Sequence, residues 1–405
     1  MSDWFQLDKE YMMSTYCRTQ VAMERGEGCK LYDVDGKEYL DLFSGVGVNV
    51  LGYNHPKIVQ TTMEQVTKSL HLPFHFLNPV AIEYAKKLVE NSLGNGKVFY
   101  TNSGTEATET TLKLIDKYRA ITNEDRDGIV VLKNSFHGRT LGALHFTRQE
   151  NVYQNFPKTS IPVYEVEREN IEQLEETIIN EKPIAIMLEP VLGSGGIYPL
   201  SSEYLHSVQH LCDTYNVILI VDEVQSGMGR TGKLFAYQNF NVTPDIIQIG
   251  KGAGGGIPLG GIIVGEKLCD VFSPGDHGTT FAHSSMGAAL GLTVLNTLIE
   301  DGLMQEAYEM SHYFNDKLQE IQKENSYYVQ EVRHAGMMFG ISMNDTNENV
   351  KKLQLKLMEK GILVDVTQGN IIRLLPPYII TEKEIDVFIN GFISVIHSVA
   401  AIASV

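Results

Sequence analysis

Four cysteines in 405 residues, with no C-x-x-C pair, leave little material for a disulfide framework or a zinc site. Cys17, Cys29, Cys212 and Cys269 are scattered, which predicts a reducing, cytoplasmic compartment. Positive charge is scarce: 33 Lys and Arg stand against 50 Asp and Glu, a net charge of −17. Such a chain is ill suited to a polyphosphate backbone, so nucleic acid is not an expected partner. A small anion in a local basic pocket remains open to it. The opening MSDWFQLDKE has acids and no apolar core, so no signal peptide is predicted there. The stretch 387–405 lacks formal charge over a length approaching a bilayer span. Asn390, Gly391, Ser394, His397, Ser398 and Ser404 interrupt it. The expectation is an amphipathic helix packed on the protein, with no membrane partner. A Walker A loop is missing as well, because neither Lys233 nor Lys251 precedes Ser or Thr.

What is present reads as globular, with 43% hydrophobic and 20% charged residues. A length of 405 residues suggests two or three domains at roughly 150 residues each. Apolar, β-branched runs end in polar or Gly-rich loops: KVFYTNSGTEA, IVVLKNSFHGRT, PIAIMLEPVLGSGG, NVILIVDEVQSGMGRTG and DIIQIGKGAGGGIPLGG. Helical stretches such as 80–91 and 202–215 alternate with them. That alternation predicts an α/β fold around a mostly parallel sheet buried on both faces. Open sheets of this kind place ligands at the C-terminal strand ends, where the polar residues fall here. Beyond about residue 285 charged helical segments (295–325) alternate with short strand candidates at 338–343, 362–366 and 371–375. The expected organisation is an N-terminal segment 1–45 packing on the small domain, a large domain 46–285 and a smaller α+β domain 286–405. Around Asp35-Gly36, residues 31–42 read as two short strands.

Several motifs carry chemistry, each with an ordinary alternative. Ser103-Gly104-Thr105-Glu106 places hydroxyls and free backbone N–H groups at a helix start, an anion cup or a plain N-cap. Asp222 ends a buried strand, where a carboxylate needs a cation or donor, or merely caps the next turn. Lys251 lies among glycines at 250, 252, 254, 255 and 256. In a partly dry site such a lysine loses its proton easily and becomes a nucleophile. Phe136 and Arg139 share one loop, offering a stacking ring and a carboxylate reader, or a solvated surface. Arg373 stands inside the apolar run NIIRLLPP and needs an anion, from a ligand or from a structural ion pair. The pattern Gly227-x-Gly229-x-x-Gly232 matches the dinucleotide fingerprint, but Asp222 and Glu223 intervene after the strand. The pairs His71/His75 and His206/His210 have helical spacing but no third ligand, so no metal site is expected.

A phosphate cup, an acid, a nucleophilic lysine, a stacking aromatic and two arginines together form the set that pyridoxal 5′-phosphate requires. With SGTEA, FHGRT, EPV, VDEVQSGMGRTG, IGKGAGGGIPLGG and HGTTF in this order, the chain resembles the class III aminotransferases of fold type I. Among them it is most similar to the acetylornithine and succinylornithine aminotransferases. The resemblance implies a ping-pong transfer from an amino acid such as N-acetylornithine to 2-oxoglutarate. Lys251 resembles the lysine that binds the cofactor and shuttles the proton. Asp222 is similar to the partner of the ring nitrogen, Gln225 to the neighbour of the phenolic oxygen, and Phe136 and Val224 to the ring's two flanks. Ser103, Gly104 and Thr105 match the phosphate cup. Thr280 resembles the residue lent to that cup by the neighbouring subunit of a homodimer. Arg139 and Arg373 match the carboxylate-binding arginines, and Glu189 lies behind them.

Three departures qualify the substrate. EPVLGSGG replaces EPVQGEGG, so Ser194 stands where the resemblance implies an acid that masks Arg373. Arg373 is then expected to stay open to carboxylates in both half-reactions, which admits pyruvate or α-amino acids as alternatives. Gly45 stands where ornithine enzymes carry a tyrosine, and HGTTFAHSSM places His283 to Ser285 as candidate pocket residues. A racemase or mutase of the same fold, an NAD-dependent oxidoreductase and a non-catalytic pyridoxal-binding regulator are the rival readings.

Overall fold

The computed structural model describes residues 3–403. Its centre is a seven-stranded sheet: β1 (Lys97–Thr101), β2 (Ile129–Leu132), β3 (Val163–Val166), β4 (Ala185–Leu188), β5 (Ile218–Asp222), β6 (Ile246–Ile249) and β7 (Gly260–Val264). The order is β1-β7-β6-β5-β4-β2-β3. All neighbours are parallel except β7, which runs antiparallel to both β6 and β1. Every residue of β2, β4, β5, β6 and β7 is buried.

Those continuous apolar runs divide by strand period. Val130, Leu132, Ile186, Leu188, Leu219, Val221, Ile247 and Ile249 join one core. Ile129, Val131, Ala185, Met187, Ile218, Ile220 and Ile246 join another. Successive side chains leave opposite faces of a strand, so one run fills two layers. The polar ends of these strands then converge on one edge, and that edge is the site.

The second sheet is antiparallel, in the order Val329–Ala335, Met338–Met343, Ile371–Leu374, Asp365–Thr367. Helices Leu303–Glu324, Asn347–Glu359 and Glu382–Ala403 pack with it. Phe314 meets Phe339 and Phe388 at 4.6 and 5.6 Å between ring centroids. The charge-poor C-terminal stretch forms most of the last helix. It buries Phe388, Phe392, Val395 and Ile396 on one face, the spacing of an amphipathic helix. Residues 404 and 405 lie outside the described residues, and among those described no helix is long and apolar enough to cross a membrane.

The expected single strand 362–366 is two. Ile362–Leu363 pairs in parallel with Glu38–Asp41 of the N-terminal three-stranded ribbon, while Asp365–Thr367 crosses into the antiparallel sheet. The chain changes sheets at Val364. Strand Val329–Ala335 was not anticipated, because its VQEVRHA pattern mixes exposed polar with buried residues and carries a bulge between Val329 and Glu331.

Candidate active site

Ser103 ends the link from β1 and caps the helix Gly104–Thr122, its Oγ accepting from Glu106 N at 3.3 Å. The first backbone N–H groups of that helix have no intrahelical acceptor and carry its positive end. Thr105 Oγ1 accepts from the backbone N–H of Arg139 at 3.0 Å and of Thr140 at 3.2 Å, which ties the FHGRT loop to the cup. The cup must be bare. A Cβ on Gly104 would lie 2.6 Å from Val224 Cγ1, and one on Gly138 would lie 2.3 Å from Thr105 Oγ1.

Lys251 follows β6 in a single 3-10 turn, Lys251–Gly254, with φ at +45°. A non-glycine residue there is strained by about 1–3 kcal/mol, and such strain collects at functional positions. Gly250 abuts the helix start, since its Cβ would be 3.2 Å from Gly104 N. The amine is therefore placed beside the anion cup. Burial pushes the Lys251 pKa down to about 8; Asp222 and Glu189 pull it upward, and Arg373 pushes it lower. The amine thus gives up its proton far more readily than an ordinary lysine, and the neutral form is the one a nucleophile needs.

Asp222 closes β5 and is buried. Its Oδ1 accepts from Val224 N at 3.1 Å, and its Oδ2 accepts from His137 Nδ1 at 2.8 Å. Sequence reasoning missed His137. The histidine is fully enclosed, and its Nε2 has no hydrogen-bond partner among the described residues. A clue was available in its place next to Phe136 on the loop after a buried strand. Behind Phe136, Glu189 accepts from Phe136 N at 2.9 Å and from Gly193 N at 3.2 Å; burial pushes its pKa up to about 7. Gly104, Thr105, Phe136, His137 and Gly138 line a small pocket together with Glu189, Asp222, Val224, Gln225 and Lys251. The residues brought together fit pyridoxal phosphate: a bare helix start for the phosphate, a buried carboxylate, a buried lysine, and Phe136 and Val224 as apolar walls for a ring.

Arg139 is exposed. Its guanidinium lies 5.5 Å from the Phe136 ring and makes no ion pair among the described residues. Arg373 is paired within the chain. It is buried at 6% exposure, and Asp365 neutralises it: Asp365 Oδ2 accepts from Nε at 2.9 Å and lies 2.7 Å from Nη2. The strand that changes sheets carries this acid, directly opposite Arg373 in the antiparallel register. Of the two sources of an anion left open for Arg373, a ligand or a structural ion pair, the structure supplies the ion pair. Nη1 makes long contacts of 3.4 Å to Ser194 Oγ and to Gln225 Oε1.

Thr280 is exposed and does not line the pocket of its own chain; neighbouring Thr279 Oγ1 accepts from Asn102 Nδ2 at 3.1 Å. His283 to Ser285 do not line the Lys251 pocket of their own chain. His283 O accepts from Asn78 Nδ2 at 2.7 Å, and its ring lines a groove with Phe74, Phe76 and Tyr100. Ser284 caps the helix Ser285–Ile299. The glycine fingerprint has no phosphate role: a Cβ on Gly229 would face Met304 and Leu298, and one on Gly232 would strike Tyr308. Only a short 3-10 turn, Ala236–Asn239, follows it. His206 is occupied at the Phe240 carbonyl, with Nε2 at 2.6 Å, and among the described residues no group of three or more metal-ligating side chains occurs.

The same residues align with known proteins. The class-III aminotransferase family matches residues 11–396. Acetylornithine aminotransferase of Caldanaerobacter subterraneus subsp. tengcongensis is 40% identical over 380 residues, covering 94% of this chain and 95% of that protein. The enzyme of that name from Methanocaldococcus jannaschii is 38% identical and covers 96% of each. Among solved structures, ornithine aminotransferase from Toxoplasma gondii superposes with a TM-score of 0.92 at 28% identity, over 98% of this chain and 95% of that one. Another structure of that enzyme holds PLP at partial occupancy in its active site. Acetylornithine aminotransferase from Elizabethkingia anophelis gives 0.86 at 31% identity, over 98% of each chain. With the family spanning the whole site and both sheets, the chain belongs to the class-III aminotransferases and is a pyridoxal-phosphate-dependent transaminase.

Proposed function

We propose that the protein transfers the terminal amino group of N-acetylornithine, or a similar ω-amino donor, to 2-oxoglutarate by a ping-pong route. The observation that carries this reading is the buried Lys251, its pKa lowered by burial to about 8, in one pocket with Asp222 and Glu189, and with the exposed Arg139 on the adjoining loop. Acetylornithine aminotransferases at up to 40% identity over nearly the full chain support the donor.

Bound pyridoxal phosphate supplies a carbonyl for amine exchange and an electron sink for the substrate carbon. The chain's residues do the rest. Gly104 and Thr105 offer backbone N–H groups to the phosphate, and Ser103 orders the turn that presents them. Asp222, oriented by His137 and Val224 N, stands for the ring nitrogen. Phe136 and Val224 would hold the ring between apolar walls. Lys251 would exchange a proton through Nζ, and Gln225 and Glu189 would supply polar neighbours for the ring's substituents. Arg139 orients a substrate carboxylate from the open side, and Arg373 offers Nη1 from the buried side.

A homodimer with shared sites belongs to this proposal. Leu70, Phe74, Phe76, Leu77 and Phe281 are exposed, and Phe281 adjoins Thr280. A second copy covering that apolar surface would bring Thr280 towards the partner's cup. Thr280→Ala should weaken cofactor retention at least several-fold without changing the fold of either copy. A fully active monomer in sedimentation would exclude shared sites.

Domain limits near 45/46 and 285/286 are proposed with it, supported by the pairing of Glu38–Asp41 with Ile362–Leu363. So is a cytoplasmic location, supported by four free thiols. Spectrally monitored half-reactions with N-acetylornithine, ornithine, alanine and glutamate test the function. Conversion by N-acetylornithine and glutamate is the expected result. Conversion by neither overturns the substrate assignment.

A further inference from the structure

We infer that Asp365 is a specificity-determining residue, whose carboxylate against the rear edge of Arg373 sets how strongly the pocket draws a second substrate carboxylate. The inference rests on the transaminase reading of the site. Asp365 and Arg373 face each other across the pair Asp365–Thr367 and Ile371–Leu374, so backbone register fixes their approach. The acid occupies Nε and Nη2 and leaves Nη1 turned to Gln225, a wall of the Lys251 pocket. At 3.4 Å from Ser194 Oγ and Gln225 Oε1, that Nη1 edge makes only long hydrogen bonds and keeps capacity for a ligand. Arg373 is nearly excluded from water, so an offsetting charge at 2.7 Å is felt strongly.

The Ser194 loop belongs to the same unit. Its carbonyl accepts from Thr367 Oγ1 at 2.6 Å and from Gln368 Nε2 at 2.9 Å, two and three residues after Asp365. An acid at position 194 would sit on the pocket-facing edge of Arg373 and would have to leave before a carboxylate could bind. Asp365 compensates from behind and leaves that edge open throughout the cycle. The two arginines are therefore unequal. Arg139 keeps its full charge at the mouth, whereas Arg373 acts as a charge-compensated donor. Such a pocket prefers substrates with one carboxylate and a neutral or amine-bearing second end. It accepts dicarboxylates with reduced affinity in both half-reactions.

The test uses the holoenzyme and glutarate, an unreactive dicarboxylate. Asp365→Asn keeps an acceptor for Nε but removes the charge. Glutarate should bind about tenfold tighter, the size of effect given by strengthening one charge-assisted contact. In half-reactions the concentration of glutamate giving half-maximal rate should fall, while that of N-acetylornithine should not, and the limiting rates should change much less. Asp365→Asn combined with Ser194→Glu should restore weak glutarate binding, because charge returns on the other edge. Should the Asn variant fail to fold, Asp365→Ser makes the same comparison. Unchanged glutarate affinity in a folded variant, or equal shifts for both donors, overturns the inference. Failure of the wild-type enzyme to react with any donor would instead overturn the transaminase reading, since glutarate binding is measured without turnover.

Discussion

Asp222→Asn separates the electrostatic role of this carboxylate from its structural one. Asn retains an oxygen to accept from Val224 N, now 3.1 Å away, so the turn after β5 should persist. Its amide meets His137 Nδ1, 2.8 Å away, donor to donor, and the imidazole must change tautomer to answer it. The negative charge is lost in a place that is 4% exposed, where solvent does not replace it. Removing one preorganised electrostatic partner of a reacting centre typically costs about 10²–10³ in rate, or about 3–4 kcal/mol. Cofactor affinity should fall by tenfold or less, because the phosphate cup and Lys251 are untouched. Single-turnover absorbance with N-acetylornithine measures the first quantity, and equilibrium dialysis of the cofactor measures the second. Turnover near that of the wild type would reduce Asp222 to a helix cap. Parallel losses in rate and affinity would make it a binding residue only.

Lys251→Ala should abolish turnover while the fold persists, since the replacement inherits the same backbone strain at φ +45° without needing new contacts. Borohydride reduction and peptide mapping should find no lysine joined to the cofactor in the variant; a trapped adduct at another lysine would refute the assignment. Glu223→Gln should flatten the pH dependence of stability. Burial raises the Glu223 carboxyl from 4.5 to about 7, so its protonated form favours the fold below pH 4.5 and that contribution disappears as pH rises through 7. The gap corresponds to about 3 kcal/mol, which the Gln variant should not lose between pH 5 and pH 8. Calorimetric unfolding of the two apo proteins at both pH values checks the sign, and a variant that loses as much as the wild type contradicts it.

The large domain was legible because its strands are apolar on both faces and end in unmistakable polar loops. Lys251, Asp222 and Ser103 could be found from position alone, each at the end of a strand or within two residues of it. Arg373 could be found as a charge in an apolar run, but its partner could not. Asp365 lies in a segment that reads as one strand, ILVDV, and only the switch of sheets at Val364 turns the acid towards Arg373. Local pattern has no term for that switch, which depends on Glu38–Asp41 arriving from more than 300 residues earlier in the chain. His137 was passed over for a related reason. A lone histidine in a loop has no periodicity, and its meaning comes from an acid 85 positions away. Asn78 holds the His283 segment towards Tyr100, a contact across 205 positions that no local pattern announces.

Charge in this pocket is arranged by pairs rather than singly. His137 supports Asp222, Asp365 offsets Arg373, and Lys251 answers both groups across the cavity. Asp222 and Glu189 raise the affinity of Lys251 for its proton and Arg373 lowers it, against the larger effect of burial. In a dry site each charge is felt at distances that water would screen. Removing Asp365 therefore reaches beyond substrate selection: a less compensated Arg373 repels a protonated Lys251 more strongly and pushes that amine further towards its neutral form. Removing Asp222 acts in the same direction on Lys251, although it strikes the other side of the pocket. The selectivity of the second arginine and the nucleophilicity of the lysine are thus set by one balance of charge, and Asp365, an edge-strand residue outside the pocket lining, belongs to it.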